Sequence, residues 1–287
     1  MSRIAYVNGL YQPVSEARVS IEDRGYQFGD GVYEVCEVLD GDIIDLTRHL
    51  DRLERSLAAL EIPMPMSRGA LTAVFREIGR RNGLTNGSLY LQVTRGVAPR
   101  DHYFPARPVR PAIVVVAKRS DQARIAAQAE AGIAAITQPD NRWERVDIKT
   151  IGLLPNVLAK EAARRAGARE AFLVDRDGFI TEGGSSNVWI VHGHTLITRP
   201  ASPGILKGIT RAGVVDAATA LGLAVEERAF TVADALGADE VFVTSATNTV
   251  MPVVRLDGNT IGNGLPGPQT RLLRGEFHHH SERTPIY

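Results

Sequence analysis

One cysteine, Cys36, stands alone among 287 residues, so no intrachain disulfide can form and a reducing compartment is expected. It lies in the apolar run Val35-Cys36-Glu37-Val38-Leu39, which reads as buried packing rather than as a nucleophile. Net charge is missing too. Thirty-three Lys and Arg balance 33 Asp and Glu, which leaves no field to attract nucleic acid or an anionic membrane. No apolar run is long enough to span a bilayer, and Met1-Ser2-Arg3-Ile4-Ala5-Tyr6 lacks the apolar core of a secretory leader. Repeats and low-complexity tracts are absent. The adjacent His278, His279 and His280 invite a metal reading, but on what reads as a frayed tail nothing preorganises them, and no metal site is expected. These absences point to a soluble cytoplasmic protein whose partner is a small molecule.

What is present is enough apolar residue, 44%, for a substantial core, in a chain longer than a typical single domain. Strands are predicted over residues 4–10, 32–39 and 42–46, the last two joined by the hairpin signal Asp40-Gly41. Leu50, Leu53, Leu57 and Leu60 fall at helical spacing in a helix over 47–60 with Thr47 as N-cap, and a second helix runs from Arg68 to Asn82. Strands over 89–94 and 112–117 bracket a loop rich in Pro and Arg. The polar stretch Lys118-Arg119-Ser120-Asp121-Gln122 divides an α+β lobe, 1–119, from a second lobe, 120–287. That lobe has predicted strands over 132–136, 170–175, 188–192, 195–197 and 240–244, and helices over 154–166 and 210–221.

Four segments carry candidate chemistry. Asp147-Ile148-Lys149-Thr150 ends a strand-like run with a lysine able to form a Schiff base, and Thr181-Glu182-Gly183-Gly184-Ser185-Ser186-Asn187 offers an acid able to hold a pyridinium nitrogen protonated. Gly204-Ile205-Leu206-Lys207-Gly208-Ile209-Thr210-Arg211 leads into a helix, and Val243-Thr244-Ser245-Ala246-Thr247-Asn248 leaves a strand. Both are places where backbone N–H groups converge on an anion.

Together these segments resemble the fold-type IV pyridoxal phosphate enzymes, the group of D-amino acid and branched-chain aminotransferases and aminodeoxychorismate lyase. The resemblance also takes in Gly25-Tyr26-Gln27-Phe28-Gly29-Asp30-Gly31-Val32-Tyr33-Glu34 and His49-Leu50-Asp51-Arg52-Leu53, and so spans nearly the whole chain. Within the group the likeness is closest to D-amino acid aminotransferase, through Arg95-Gly96-Val97-Ala98-Pro99-Arg100-Asp101-His102-Tyr103-Phe104-Pro105. In that family an arginine and a histidine two residues apart reach the partner subunit's site and trap the substrate carboxylate with a tyrosine; Arg100, His102 and Tyr33 match. A guanidinium fork with added imidazole and phenol donors suits a carboxylate on chemical grounds alone.

The resemblance implies an α+β fold with a small α/β sandwich lobe and a larger pseudo-barrel lobe, a homodimer, and pyridoxal 5'-phosphate between the lobes. It makes Lys149 the covalent anchor and proton carrier, its pKa depressed by burial and by the cofactor's charge. Glu182 then faces the pyridine nitrogen, and Leu206 packs against the ring. Phosphate falls to Arg52, to Ile209 and Thr210 at the helix start, and to Ser245, Ala246 and Thr247. Ser186 and Asn187 join the cofactor contacts and Val35 the substrate contacts; Gly184 and Ala246 stand where the family commonly has hydroxyls. The implied reaction is ping-pong amino transfer between a D-amino acid and a 2-oxo acid, such as D-alanine and 2-oxoglutarate. A branched-chain L-aminotransferase, an (R)-amine transaminase, a lyase and a cofactor-free binding dimer stay open as alternatives.

Overall fold

Asn8 and Gly9 take left-handed backbone angles, φ 50° and 106°. The apolar stretch expected as one strand over 4–10 is therefore a hairpin of β1 (Ile4–Val7) and β2 (Leu10–Pro13). The structure, a computed structural model, describes residues 3–202 and 204–287; Met1 and Ser2, the start of the segment read for a leader, lie outside it with Pro203. The chain is α+β and divides into two compact units, Met1–Asp121 with Ile148–Gly152 and Glu282–Tyr287, and Gln122–Asp147 with Leu153–Ser281. Lys149 thus belongs to the first unit, not to the second as the lobe assignment had it.

In the first unit follow α1 (Arg24–Phe28), β3 (Gly31–Leu39), β4 (Asp42–Ile44), α2 (Leu46–Ala59), α3 (Arg68–Arg81), β5 (Gly87–Thr94) and β6 (Ala112–Arg119). A C-terminal strand, Arg283–Pro285, completes the sheet beside β4, and the order continues β3-β5-β6-β1-β2. The histidines at 278–280 are accordingly not on a frayed tail: the chain passes through a short 3-10 turn, Phe277–His279, into that strand, and no metal-binding cluster occurs among the described residues. Along β3, Val32, Cys36 and Val38 point into the core with Leu53, Leu57, Phe75 and Ile78 of α2 and α3, while Tyr33, Val35 and Glu37 lie half-buried on the opposite face. That is the period-2 alternation of a strand covered by helices on one side. Burial pushes the Cys36 thiol well up, which keeps it unreactive.

Thr47 is not the N-cap of α2. The helix begins at Leu46, after Asp45, and both the N–H and the hydroxyl of Thr47 donate to the carboxylate of Glu282, at 3.1 and 2.8 Å. One orphan donor of this helix is met by a residue far along the chain, which local pattern cannot show. Lys149 does not end a strand either. Residues 149–151 run beside the start of β3 through a single bridge, Val32 to Thr150, with Tyr33 N–H donating to the Lys149 carbonyl at 3.0 Å.

The second unit contains α4 (Gln122–Ala131), β7 (Ile133–Pro139), α5 (Leu154–Arg165), β8 (Glu170–Val174), β9 (Ile180–Gly183), β10 (Asn187–His192) and β11 (Thr195–Thr198). After these come α6 (Ile209–Ala220), β12 (Ala224–Glu227), α7 (Val232–Leu236), β13 (Glu240–Ser245), β14 (Thr249–Leu256), β15 (Asn259–Thr260) and α8 (Pro268–Glu276). Its sheet is mixed, in the order β12-β11-β10-β13-β14-β7-β8-β9, with β15 on β14. The run Val188-Trp189-Ile190-Val191 is apolar throughout because both faces of β10 are covered: Val188 and Ile190 join one core cluster, Trp189 and Val191 another. Trp189 stacks on Phe242 of β13 at 5.5 Å.

Ile286 follows the C-terminal strand and is buried in the first core, against Gly79 of α3, where even a Cβ would fall 2.7 Å from its Cδ1. Ile286→Ala is expected to destabilise the protein by about 2–5 kcal/mol, the range for opening such a hole. Chemical denaturation checks this; a midpoint equal to the parent's would mean that the terminal segment does not close the core.

Candidate functional site

Glu34 occupies an inward position of β3 and is 1% exposed. An ionised carboxylate there requires donors, and α2 supplies them. Arg52 Nε and Nη2 donate to its two oxygens, both at 2.8 Å, and His49 Nδ1 lies 2.7 Å from Oε2. Burial works to raise the Glu34 carboxyl, but the charge and hydrogen bonds of Arg52 and the bond from His49 outweigh it and hold the group well below the usual carboxylate range. Burial works to lower Arg52, but the charge and hydrogen bonds of Glu34 outweigh it and raise the guanidinium. Arg52 is thus a buried charge whose fork is fixed in direction.

Lys149 follows the buried Ile148, its backbone N–H donating to Ser56 Oγ of α2 at 3.3 Å. Its Nζ sits 4.1 Å from the centroid of the Tyr33 ring, and among the described residues of its unit no carboxylate pairs with it. Tyr33 stacks on Tyr90 of β5 at 5.7 Å, and the Tyr90 hydroxyl donates to Gln92 Oε1 at 2.8 Å. Burial, with Tyr33 beside it, pushes the Tyr90 phenol up to about 12. Val35 is the next residue of β3 on this face, opposite Tyr90. Lys149, Tyr33 and Val35 are therefore brought to one side of one sheet.

Arg100 and His102 lie in the exposed loop between β5 and β6 and share one aromatic neighbour, the Phe28 ring, at 5.0 and 5.5 Å. Arg24 Nη1 donates to the Asp101 carbonyl at 2.7 Å and pins the loop between them. Within the chain the structure places neither of the two against Tyr33.

In the second unit, Glu182 lies on β9 and is 4% exposed. Its Oε1 accepts from Asn187 Nδ2 and from Leu206 N–H, each at 2.9 Å, and Arg142 Nη1 donates to Oε2. Asn187 Nδ2 also reaches the Leu206 carbonyl at 2.9 Å. A Cβ at Gly208 would fall 2.2 Å from Asn187 Oδ1, so only glycine lets the chain turn there into α6. No side chain caps that helix, which leaves Ile209 and Thr210 in a first turn whose N–H groups face an anion favourably. Ser245 ends β13, and Ala246 and Thr247 begin the turn that leads to β14. Ser186 has a different engagement: its hydroxyl donates to Glu170, 2.9 Å away.

Sequence reasoning missed Asp140, Arg142 and Tyr90, and gave Glu34 and His49 no role. Glu34 had a signal, an acid at an inward position of an alternating strand; so had His49, three residues from Arg52 on one helix face. Arg142 had none, because it lies in an irregular segment whose partners are set by the fold.

The family described as amino-transferase class IV matches residues 31–256 of this chain. D-alanine aminotransferase of Bacillus licheniformis is 44% identical over 93% of each chain, and that of Staphylococcus haemolyticus 42% identical over 96% of this chain and 97% of its own. Among solved structures, branched-chain amino acid aminotransferase of Escherichia coli matches at 25% identity with a TM-score of 0.90, covering both chains fully. The T.th. branched-chain amino acid aminotransferase complexed with N-(5'-phosphopyridoxyl)-L-glutamate matches at 25% identity and a TM-score of 0.86, over 100% of this chain and 99% of its own.

Glu34→Gln leaves the Arg52 charge buried without its counterion and is expected to destabilise the protein by about 3–5 kcal/mol at neutral pH. Because folding depresses the Glu34 carboxyl, its contribution is fully present above the unfolded value of about 4.3 and is lost as pH falls through the folded value. Urea titrations near pH 7 and in strong acid should show the gap between parent and variant narrowing on acidification. A gap independent of pH would show that ionised Glu34 is not its source.

Proposed function

Because the chain belongs to the amino-transferase class IV family, we propose that it transfers an amino group between a D-amino acid, D-alanine foremost, and a 2-oxo acid such as 2-oxoglutarate, with pyridoxal 5'-phosphate as cofactor. The observation that carries this reading is the 44% identity to a D-alanine aminotransferase along nearly the full length of both chains. The 25% likeness to branched-chain enzymes supports a common fold and cofactor more than a common substrate. No helix among the described residues is long and apolar enough to cross a membrane; a cytoplasmic homodimer completes the proposal.

The residues present fit the cofactor. They comprise an amine beside an aromatic ring, a buried carboxylate held by three donors, and an uncapped helix start preceded by a glycine that tolerates no Cβ. When bound, pyridoxal phosphate supplies a pyridinium ring that takes up the electron pair left when the substrate Cα loses its proton. Lys149 would provide the amine that holds it, and its Nζ would carry the Cα proton. Glu182 would face the ring nitrogen, with Asn187 fixing Glu182. Leu206 would pack on the ring. The phosphate dianion would fall to Arg52, to the Ile209 and Thr210 amides with the Thr210 hydroxyl, and to Ser245, Ala246 and Thr247. Ser186 would join the cofactor contacts, and Gly184 and Ala246 would leave the site with fewer hydroxyl contacts.

Substrate selection falls to Tyr33, Val35, Arg100 and His102. Tyr33 and Val35 lie on the face that Lys149 overlooks, whereas Arg100 and His102 point from an exposed loop that in the dimer serves the partner's site. Their target is the substrate carboxylate, which a guanidinium grips in bidentate fashion.

Purified protein is expected to be yellow and to convert D-alanine with 2-oxoglutarate into pyruvate and D-glutamate, with L-leucine a poor donor; preference for L-leucine would move the assignment to the branched-chain group. Borohydride should fix the cofactor to Lys149, and an adduct found by mass spectrometry on Lys160 or Lys207 would displace Lys149 from its role.

Arg100→Ala should lower kcat/KM for D-alanine roughly ten- to a hundredfold, since a charge-assisted bond contributes about 1.5–3 kcal/mol. An amine lacking the carboxylate should be much less affected. A mixed dimer of Arg100→Ala and Lys149→Ala subunits should regain one working site; equal losses for both substrates, or a dead mixed dimer, would overturn the trap.

A further inference from the structure

Asp140 follows β7, and its N–H donates to the Val174 carbonyl at 2.8 Å. Its Oδ1 accepts the Arg142 N–H at 3.1 Å and Nε at 2.9 Å, and its Oδ2 accepts Arg142 Nη2 at 2.8 Å and the Thr181 hydroxyl at 2.7 Å. The remaining arm of the same guanidinium, Nη1, donates to Glu182. The three side chains are 12%, 7% and 6% exposed, so water screens their charges poorly. Burial works to raise the Asp140 carboxyl, but Arg142 and Thr181 hold it below its ordinary value, so it stays ionised. Charge therefore alternates along the row: negative, positive, negative.

An arginine facing Glu182 alone would make a neutral pair, and a basic ring nitrogen beside that carboxylate would gain little from being protonated. We infer that Asp140 is a positioning residue that neutralises Arg142 from its far side, so that Arg142 fixes the direction of Glu182 without cancelling its charge toward the cofactor's ring nitrogen. The inference rests on the proposed placement of that nitrogen beside Glu182. Asp140 and Arg142 together are neutral; either alone is not. Asp140 thus sets the degree to which the ring nitrogen keeps its proton while touching neither cofactor nor substrate.

Nitrogen-15 NMR of the enzyme loaded with pyridoxal 5'-phosphate labelled at the ring nitrogen reads this directly. Asp140→Asn is expected to move the resonance from its wild-type position toward that of unprotonated pyridine, in the same sense as Glu182→Gln and by less. The double variant Asp140→Asn with Arg142→Gln should return it to the wild-type position, because the pair removed is neutral. A merely structural role predicts that the second lesion adds to the first. A wild-type resonance in Asp140→Asn while Glu182→Gln shifts, or a displaced resonance in the double variant, would overturn the inference. If Asp140→Asn does not fold, the double variant decides on the same criterion. Should Glu182→Gln itself leave the resonance unmoved, the placement of Glu182 fails, and the inference falls with it.

Discussion

An ionised carboxylate removed from water is stable only where donors replace its hydration, and each unit is organised around one. In the first unit that group is Glu34. Its partners Arg52 and His49 project from α2, so the ion pair fixes how this helix seats on β3. Lys149 is clamped by the same two elements one step along each. Its carbonyl accepts from Tyr33, the neighbour of Glu34 on β3, and its N–H donates to Ser56, one helical turn beyond Arg52. The candidate anchor thus inherits its position from a charge pair that never touches it.

Glu182 does the same in the second unit with different means. A backbone N–H at 206, a side-chain amide at 187 and a guanidinium at 142 converge on it, the first and last from segments distant in sequence. The strand bearing the acid and the loop leading into α6 are thereby tied to one atom, Oε1. The close passage of Gly208 over Asn187 lets the loop turn toward the helix without disturbing that tie. Position and charge are linked, because a guanidinium is among the donors that orient the carboxylate.

Much of the fold was legible because its signals are local. Period-2 alternation in β3, helical spacing in α3, the Asp40-Gly41 turn and the apolar run of β10 each declare themselves within ten residues. What escaped depends on sequence-distant partners: Glu282 serving the start of α2, the C-terminal strand beside β4, and the placement of residues 148–152 with the first unit. Residues proposed for the site divide along the same line. Lys149, Glu182, Arg52 and Thr210 stand in recognisable motifs, whereas Asp140 and Arg142 sit in an irregular stretch with no periodicity and matter only through what folding puts beside them. Short strands such as β9 and β12, four residues each, carry too little pattern to be separated from turns.

The proposed division of labour has a physical basis in how each part is held. Several residues proposed for the cofactor lie where the fold holds them: Glu182 and Asn187 on strands, Thr210 at a helix start and Arg52 in a buried ion pair. Arg100 and His102, proposed to read the carboxylate, lie on an exposed loop, which would ordinarily cost binding energy to order. Here the loop is braced before any substrate arrives. Asp30 accepts from both Arg24 and Arg95 at 2.7–3.1 Å, Arg95 marks where the loop leaves β5, and Arg24 reaches on to the Asp101 carbonyl. Phe28 fills the space under Arg100 and His102. A loop braced in this way has less freedom to lose on meeting a carboxylate, which is what the proposed trap requires of a segment with few buried contacts.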